Sequence, residues 1–312
     1  MTFSYSNLID SAANATTTQP DATQDLPFNY IPTGWIGITF LALFGTTTEA
    51  IYFRAWYMLP TLVLCGVCEI VGWAGRYWGH LDPTNNDPFL MQISTTIIAP
   101  SFMTAAMFLI LPRIMNELGS HYSRMTPRLY SIIFLIADGS ALVIQGVGGG
   151  LASAADTLDG ANQGSHVMLA GIIIQLAAIV LFTLLASEFI IRYSYDRPAR
   201  QRTLSEEQSQ AGEKVQERKP VSRNIILMLV GLGIVIVFMV IRSVYRLIEL
   251  SDGWNGEIIS TEKWFNWFDG MPIVVAMTAF NVFYPGYLLR ELGGILPQSE
   301  QSPEGTPELP TV

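Results

Sequence analysis

Glu69, Gly72 and Arg76 stand at i, i+3 and i+7 inside an apolar run, which puts a carboxylate and a guanidinium on one face of a helix. Asp138 and Gln145 repeat the spacing of seven in a second run. In a third, Arg242, Arg246 and Glu249 share a face, with Tyr245 beside them. Gln92, Gln175, Asp269 and Asn281 add one polar group each to other apolar stretches. A charge at mid-membrane costs at least ~2.5–3.5 kcal/mol on the insertion scale, so each such group needs a partner or a wet cavity. Any one of them can serve as an interhelical ion pair or hydrogen bond that fixes a bundle. As a set in one layer of five or more helices, they predict a cavity with both charge signs, apolar walls and aromatic rims. Such a pocket suits an amphiphile with a polar head and a hydrocarbon body better than a bare ion.

The elements that must position these residues follow from composition. Of the 312 residues, 50% are hydrophobic and only 14% charged, with a mean hydropathy of +0.35. Soluble domains carry about 25% charged residues, so an ordinary cytosolic enzyme and a disordered chain are both excluded. The net charge of −9 and the pI near 4.8 exclude a nucleic-acid binder. A spanning helix needs about 20 mostly apolar residues, and seven stretches qualify: 32–52, 56–78, 89–112, 129–151, 167–191, 225–247 and 267–289. The expected fold is an all-α integral membrane protein, a seven-helix bundle over 30–290. Residues 1–29 read as a polar outer tail and 291–312 as a disordered cytosolic tail. Between the fifth and sixth helices, 193–222 reads as a basic cytosolic loop.

The start of the chain has no basic n-region, so no removable signal peptide is expected. Placing the N-terminus outside and the C-terminus in the cytosol leaves all but Arg76, Arg242, Arg246 and Lys263 of the 17 basic residues on the cytosolic side. Asn14-Ala15-Thr16 is then a glycosylation sequon on the outer side. In that orientation Glu69, Asp138, Gln145 and Gln175 lie from the middle toward the outer half. Arg76, Arg242, Arg246, Glu249 and Asp269 lie near the outer ends of their helices.

Other chemistries of seven-helix proteins fail on residues. A retinal Schiff base needs a lysine in the last helix, and Lys263 stands in the loop before it. A membrane zinc hydrolase needs histidines converging on one metal, whereas His80 and His121 fall on opposite sides and only His166 remains. Gly146, Gly148, Gly149 and Gly150 lack the strand and lysine of a phosphate loop and read as helix-packing positions. Cys65 and Cys68 read as small bundle residues. No enzyme activity, cofactor, metal or nucleic-acid partner is expected.

These residues, taken together, resemble the fungal lipid-translocating exporter family, also called the RTA-like or aminocholesterol-resistance family, over roughly 30–290. The likeness rests on Tyr30-x-Pro32, Glu69-x-x-Gly72-x-x-x-Arg76, Gln92 with Ala99-Pro100, Asp138 to Gln145, and Gly164, Gly171 and Gln175. Its longest block is Arg242-Ser-Val-Tyr245-Arg246-x-x-Glu249, followed by Gly253, Gly256, Glu262, Asp269, Pro272, Asn281 and Pro285-Gly286. The chain departs from the family in its first helix (Ile36-Gly37-Ile38) and at Phe108. The resemblance implies a multi-pass protein of the plasma membrane, with an endomembrane as the alternative, that exports or flops sphingoid long-chain bases or sterol-like amphiphiles. Some members are implied to take up porphyrins, and a seven-helix lipid or stress sensor is the alternative from another class. The candidate lipid-binding residues are Glu69, Arg76, Gln92, Asp138, Gln145, Gln175, Arg242, Tyr245, Arg246, Glu249, Asp269 and Asn281. Glu69 is expected to meet a cationic headgroup, because its own helix offers no cation within a turn.

Overall fold

The computed structural model describes residues 33–81, 87–155, 157–199, 222–253 and 256–288. The sequon at Asn14, both tails, Trp254 and the centre of the 193–222 loop lie outside them. Seven helices among the described residues are long and apolar enough to cross a membrane, and no strand occurs there. Their main helices are α1 (Thr33–Tyr52), α2 (Leu64–Leu81), α3 (Asp87–Leu118), α4 (Pro127–Ser153), α5 (Leu158–Ser194), α6 (Arg223–Ser251) and α7 (Met271–Val282), the last being the middle of a span that runs Glu262–Leu288. Two spans begin with wider turns. Leu59–Val63 leads into α2, and Glu262–Phe265 followed by the π-turn Asn266–Gly270 leads into α7.

Local chemistry sets the ends. Thr126 accepts from the Leu129 amide at 3.4 Å, with Pro127 in the first helical position of α4. Thr157 accepts from the Gly160 amide at 3.2 Å, with Asp159 in the first turn. That cap starts α5 well before the stretch expected from 167. Gly119, at φ 117°, closes α3 with a conformation that side chains disfavour.

A proline inside a helix usually kinks or breaks it, but the third helix is not broken at Pro100. α3 runs on through Pro100 and Pro112. Each proline removes one N–H and so strips the carbonyl four residues before it of its ladder partner. In both cases a neighbouring helix replaces the donor. Arg242 Nη2 donates to the Thr96 carbonyl at 2.6 Å, and Ser131 Oγ donates to the Phe108 carbonyl at 3.0 Å. Satisfied in this way, the helix keeps its course.

Each span packs on its neighbours in sequence, and α7 closes onto α1, with α3 enclosed and also touching α6. The α4–α5 pair approaches most closely, at small residues. A Cβ on Gly148 would lie 2.5 Å from the Met168 amide nitrogen, and one on Gly171 would lie 2.8 Å from the Ala141 carbonyl oxygen. Phe108, Phe134 and Phe182 fill the space between α3, α4 and α5, with centroids 4.9–5.5 Å apart. Outward positions are apolar, among them Leu41, Phe44, Ile136, Val143, Leu184 and Val282. The protein is an integral multi-pass membrane protein.

Candidate functional site

The end of the bundle where α2 and α6 finish and α7 begins holds a buried ionic cluster. Its centre is Asp269, fully enclosed on the π-turn before α7. Arg246 grips the Asp269 carboxylate with two bonds, Nε to Oδ1 at 2.6 Å and Nη2 to Oδ2 at 2.9 Å. Nη1 of the same guanidinium donates to Glu249 Oε2 at 2.8 Å, and Nη2 also donates to Thr96 Oγ1 at 2.9 Å. Tyr245 donates its hydroxyl proton to Glu249 Oε1 at 3.0 Å. Arg242 donates Nη1 to the Asp269 carbonyl at 2.9 Å and lies 3.4 Å from Oδ2. Pairs this enclosed need several hydrogen bonds to offset their desolvation, and both arginines have them.

Glu69 differs. Its Oε1 lies 3.2 Å from Arg242 Nη1, close enough for an ion pair. The approach lies outside hydrogen-bonding geometry, however, so neither carboxylate oxygen has a hydrogen-bond partner among the described residues although both are buried. Two guanidinium groups here face three carboxylates, and the surplus negative charge falls on the carboxylate with the poorest coordination. An aromatic wall stands one turn further along α2. Trp73 stacks on Trp35 with centroids 5.4 Å apart and meets Phe265 edge-on at 5.6 Å. Gly270 makes the room, since a Cβ there would lie 2.5 Å from the Trp73 ring. Arg76 belongs to this rim rather than to the cluster. It pairs with Glu262 at 3.6 Å and lies 4.5 Å above the Phe265 ring.

A second network, without charge partners, joins α3, α4 and α5. Thr104 Oγ1 donates to Asp138 Oδ2 at 3.0 Å, and Gln175 Nε2 donates to Oδ1 at 3.0 Å and to Ser101 Oγ at 3.1 Å. Gln145 Nε2 donates to Gln175 Oε1 at 3.2 Å. A cavity of about 20 Å³ separates the networks, bounded by Gln145, Gln175 and Pro100 on one side and Arg242 and Arg246 on the other. That volume admits one water molecule.

The residues named from sequence thus divide. Glu69, Arg242, Tyr245, Arg246, Glu249 and Asp269 form one cluster, and Asp138, Gln145 and Gln175 another. Gln92 is buried with Oε1 unpartnered on the α3 face toward Gly72. Asn281 joins neither cluster. It ties α7 to α1, accepting from Thr46 Oγ1 at 2.6 Å and donating to the Ala42 carbonyl at 2.9 Å. Thr96, Ser101 and Thr104 were missed, because short hydroxyl side chains in helices usually bond their own backbone. Pro100, which frees the Thr96 carbonyl, was the available signal. The opposite end is polar too, with Arg113 3.3 Å above the Tyr57 ring and Arg124 joining Arg192 on Glu188, each at 2.7 Å.

Residues 62–292 match the family described as "RTA1 like protein". Among curated proteins the chain is similar to the sphingoid long-chain base transporter RSB1 of Saccharomyces cerevisiae, 27% identical over 303 residues covering 90% of this chain and 77% of that one. It is also similar to Protein RTA1 of the same yeast, 28% identical over 228 residues, with 73% and 65% coverage. Protoporphyrin uptake protein 1, again from this yeast, is 25% identical over 225 residues, with 72% and 67% coverage. No solved structure matches the chain.

Proposed function

The chain belongs to the RTA1-like family, and from that premise we propose that it moves cationic amphiphilic lipids of the sphingoid-base type across a membrane. One observation carries the reading: Glu69, buried beside an aromatic wall, is the surplus carboxylate of its cluster, with both oxygens free of hydrogen bonds. A protonated amine offers the charge and the donors that this group lacks, and the hydrocarbon chain can lie along Trp35, the partly exposed side of the aromatic wall. The cavity beside Arg242 has room for a single water, so a headgroup must displace Arg242 from Glu69 as it enters. The similarity to a sphingoid-base transporter supports the same class of lipid.

Flux tests the reading. Vesicles containing only this protein should move a labelled sphingoid base between leaflets faster than empty vesicles, and should prefer it to an anionic phospholipid. Faster movement of the anionic lipid would overturn the cationic preference. Absence of flux for every lipid, with tight binding retained, would make the protein a sensor.

We place the Glu69 end of the bundle outside, on the distribution of basic residues, and the plasma membrane as its site, as the family resemblance implies. With that orientation Asn14 acquires a glycan that Asn14→Gln abolishes, and a protease site inserted at position 210 is cut only after the cell is opened. Cleavage from outside intact cells would invert the orientation.

A further inference from the structure

Asp138 stands apart from every other buried carboxylate described above. It lies about 17 Å from one end of α4 and 22 Å from the other at 1.5 Å per residue, and is 4% exposed. The groups that face it are neutral: Thr104 from α3, and Gln175 from α5. No cation pairs with it among the described residues. Arg242 and Arg246 of α6, on the far side of the one-water cavity that Gln175 lines, are engaged by Asp269, Glu249 and Glu69. An unpaired charge so deep is costly, and binding a proton removes it.

The hydrogen bonds accommodate both forms without moving a heavy atom. In the ionised form the Thr104 hydroxyl donates to Oδ2. With a proton on Oδ2, the bond reverses, and the Thr104 hydroxyl turns to the Ser101 carbonyl at 3.0 Å or the Pro100 carbonyl at 3.3 Å. Gln175 holds Oδ1 in both forms and also lines the cavity, so it is the partition between Asp138 and the water site. A lipid amine has no room here, since Asp138 is enclosed and the neighbouring cavity admits one water, whereas a proton needs no space. The two networks are joined through α3, whose Thr96 holds Arg246 and whose Thr104, two turns on, holds Asp138.

We propose that Asp138 is a proton-binding site that couples lipid movement to a transmembrane proton gradient, one proton exchanging for one monocationic lipid. The exchange is electroneutral: the carboxylate takes a proton from water on one side and returns it on the other. The coupling rests on the transporter reading above; the proton site does not. Two measurements on the full chain keep them separate. In phosphatidylcholine vesicles, fluorescent N,N,N-trimethylsphingosine, whose fixed charge does not respond to pH, should accumulate about tenfold for a gradient of ~1 pH unit. Asp138→Asn should show the same distribution with and without the gradient. Infrared spectra of the purified protein should contain a protonated-carboxyl carbonyl band that Asp138→Asn removes and that Thr104→Val shifts to higher frequency. A gradient response that survives Asp138→Asn, or wild-type flux indifferent to the gradient, overturns the coupling. Absence of the band in wild type overturns the proton site. A band without any flux leaves the proton site standing and brings down the transporter reading, with the coupling.

Discussion

Asp269→Ala should prevent the protein from accumulating in folded form. The substitution deletes both bonds that hold Arg246 on this carboxylate and the 3.4 Å contact to Arg242, inside a buried site whose neighbouring cavity has room for one water at most. Removing one partner of a buried pair typically costs ~3–5 kcal/mol, because the other charge stays buried and uncompensated. Total stabilities of domains are ~5–15 kcal/mol, so a loss of this size should show as low yield of monodisperse protein and early melting in detergent. Asp269→Asn should be nearly as damaging, since its amide turns donors toward guanidinium groups that only donate. Wild-type yield and melting in both variants would mean that the arginines are satisfied by Glu249, Glu69 and Thr96 alone, and Asp269 would lose its place as the keystone of the cluster.

Glu69→Gln should separate folding from function in the opposite sense. Arg242 keeps its bonds to the Asp269 and Thr96 carbonyls when Glu69 loses its charge, so no cation is stranded. Melting should stay within ~1 kcal/mol of wild type, the scale of one ordinary hydrogen bond. A protonated amine, by contrast, loses its only surplus carboxylate. Hydrogen bonds to charged groups contribute ~1.5–3 kcal/mol, which corresponds to about a ten- to hundredfold weaker hold on a sphingoid base. The measurement is binding and flux of the labelled base beside thermal melting. Full flux would remove Glu69 from the site, and a collapse in melting temperature would assign it to the scaffold.

The seven spans were legible because apolar length is a property of each segment by itself. So was the grouping of Arg242, Arg246 and Glu249, because spacing on one helix fixes a face. Partners across helices were not. Glu69 and Arg76 share a face of α2, yet one meets Arg242 and the other Glu262, because α6 and the turn before α7 meet α2 at different heights. Asn281 looked like a member of the polar set, and only the closure of α7 onto α1 shows that it bridges those two helices. The Thr96 carbonyl could not be read at all from side-chain types. It acts because Pro100 withholds a backbone donor, which is visible in sequence, and because Arg242 is near, which is not.

The ionic cluster also imposes an order on how the chain can be built. Asp269 follows Arg246 by 23 residues and Arg242 by 27, whereas Thr96 precedes Arg242 by 146. At ~5–20 residues per second, α3 waits about 7–30 s for its arginine during synthesis. The arginines of α6 wait only a second or a few for Asp269. The last two spans therefore have their mutual partners available within seconds of each other, long after α3 is made. The earlier helices supply a finished dock, with the Thr96 carbonyl and the Glu69 carboxylate facing the place where those two spans arrive. The membrane domain is complete only once its final two helices are in place: a chain that stops short of Asp269 leaves Arg246 with Glu249 and Arg242 with Glu69 as their remaining carboxylates.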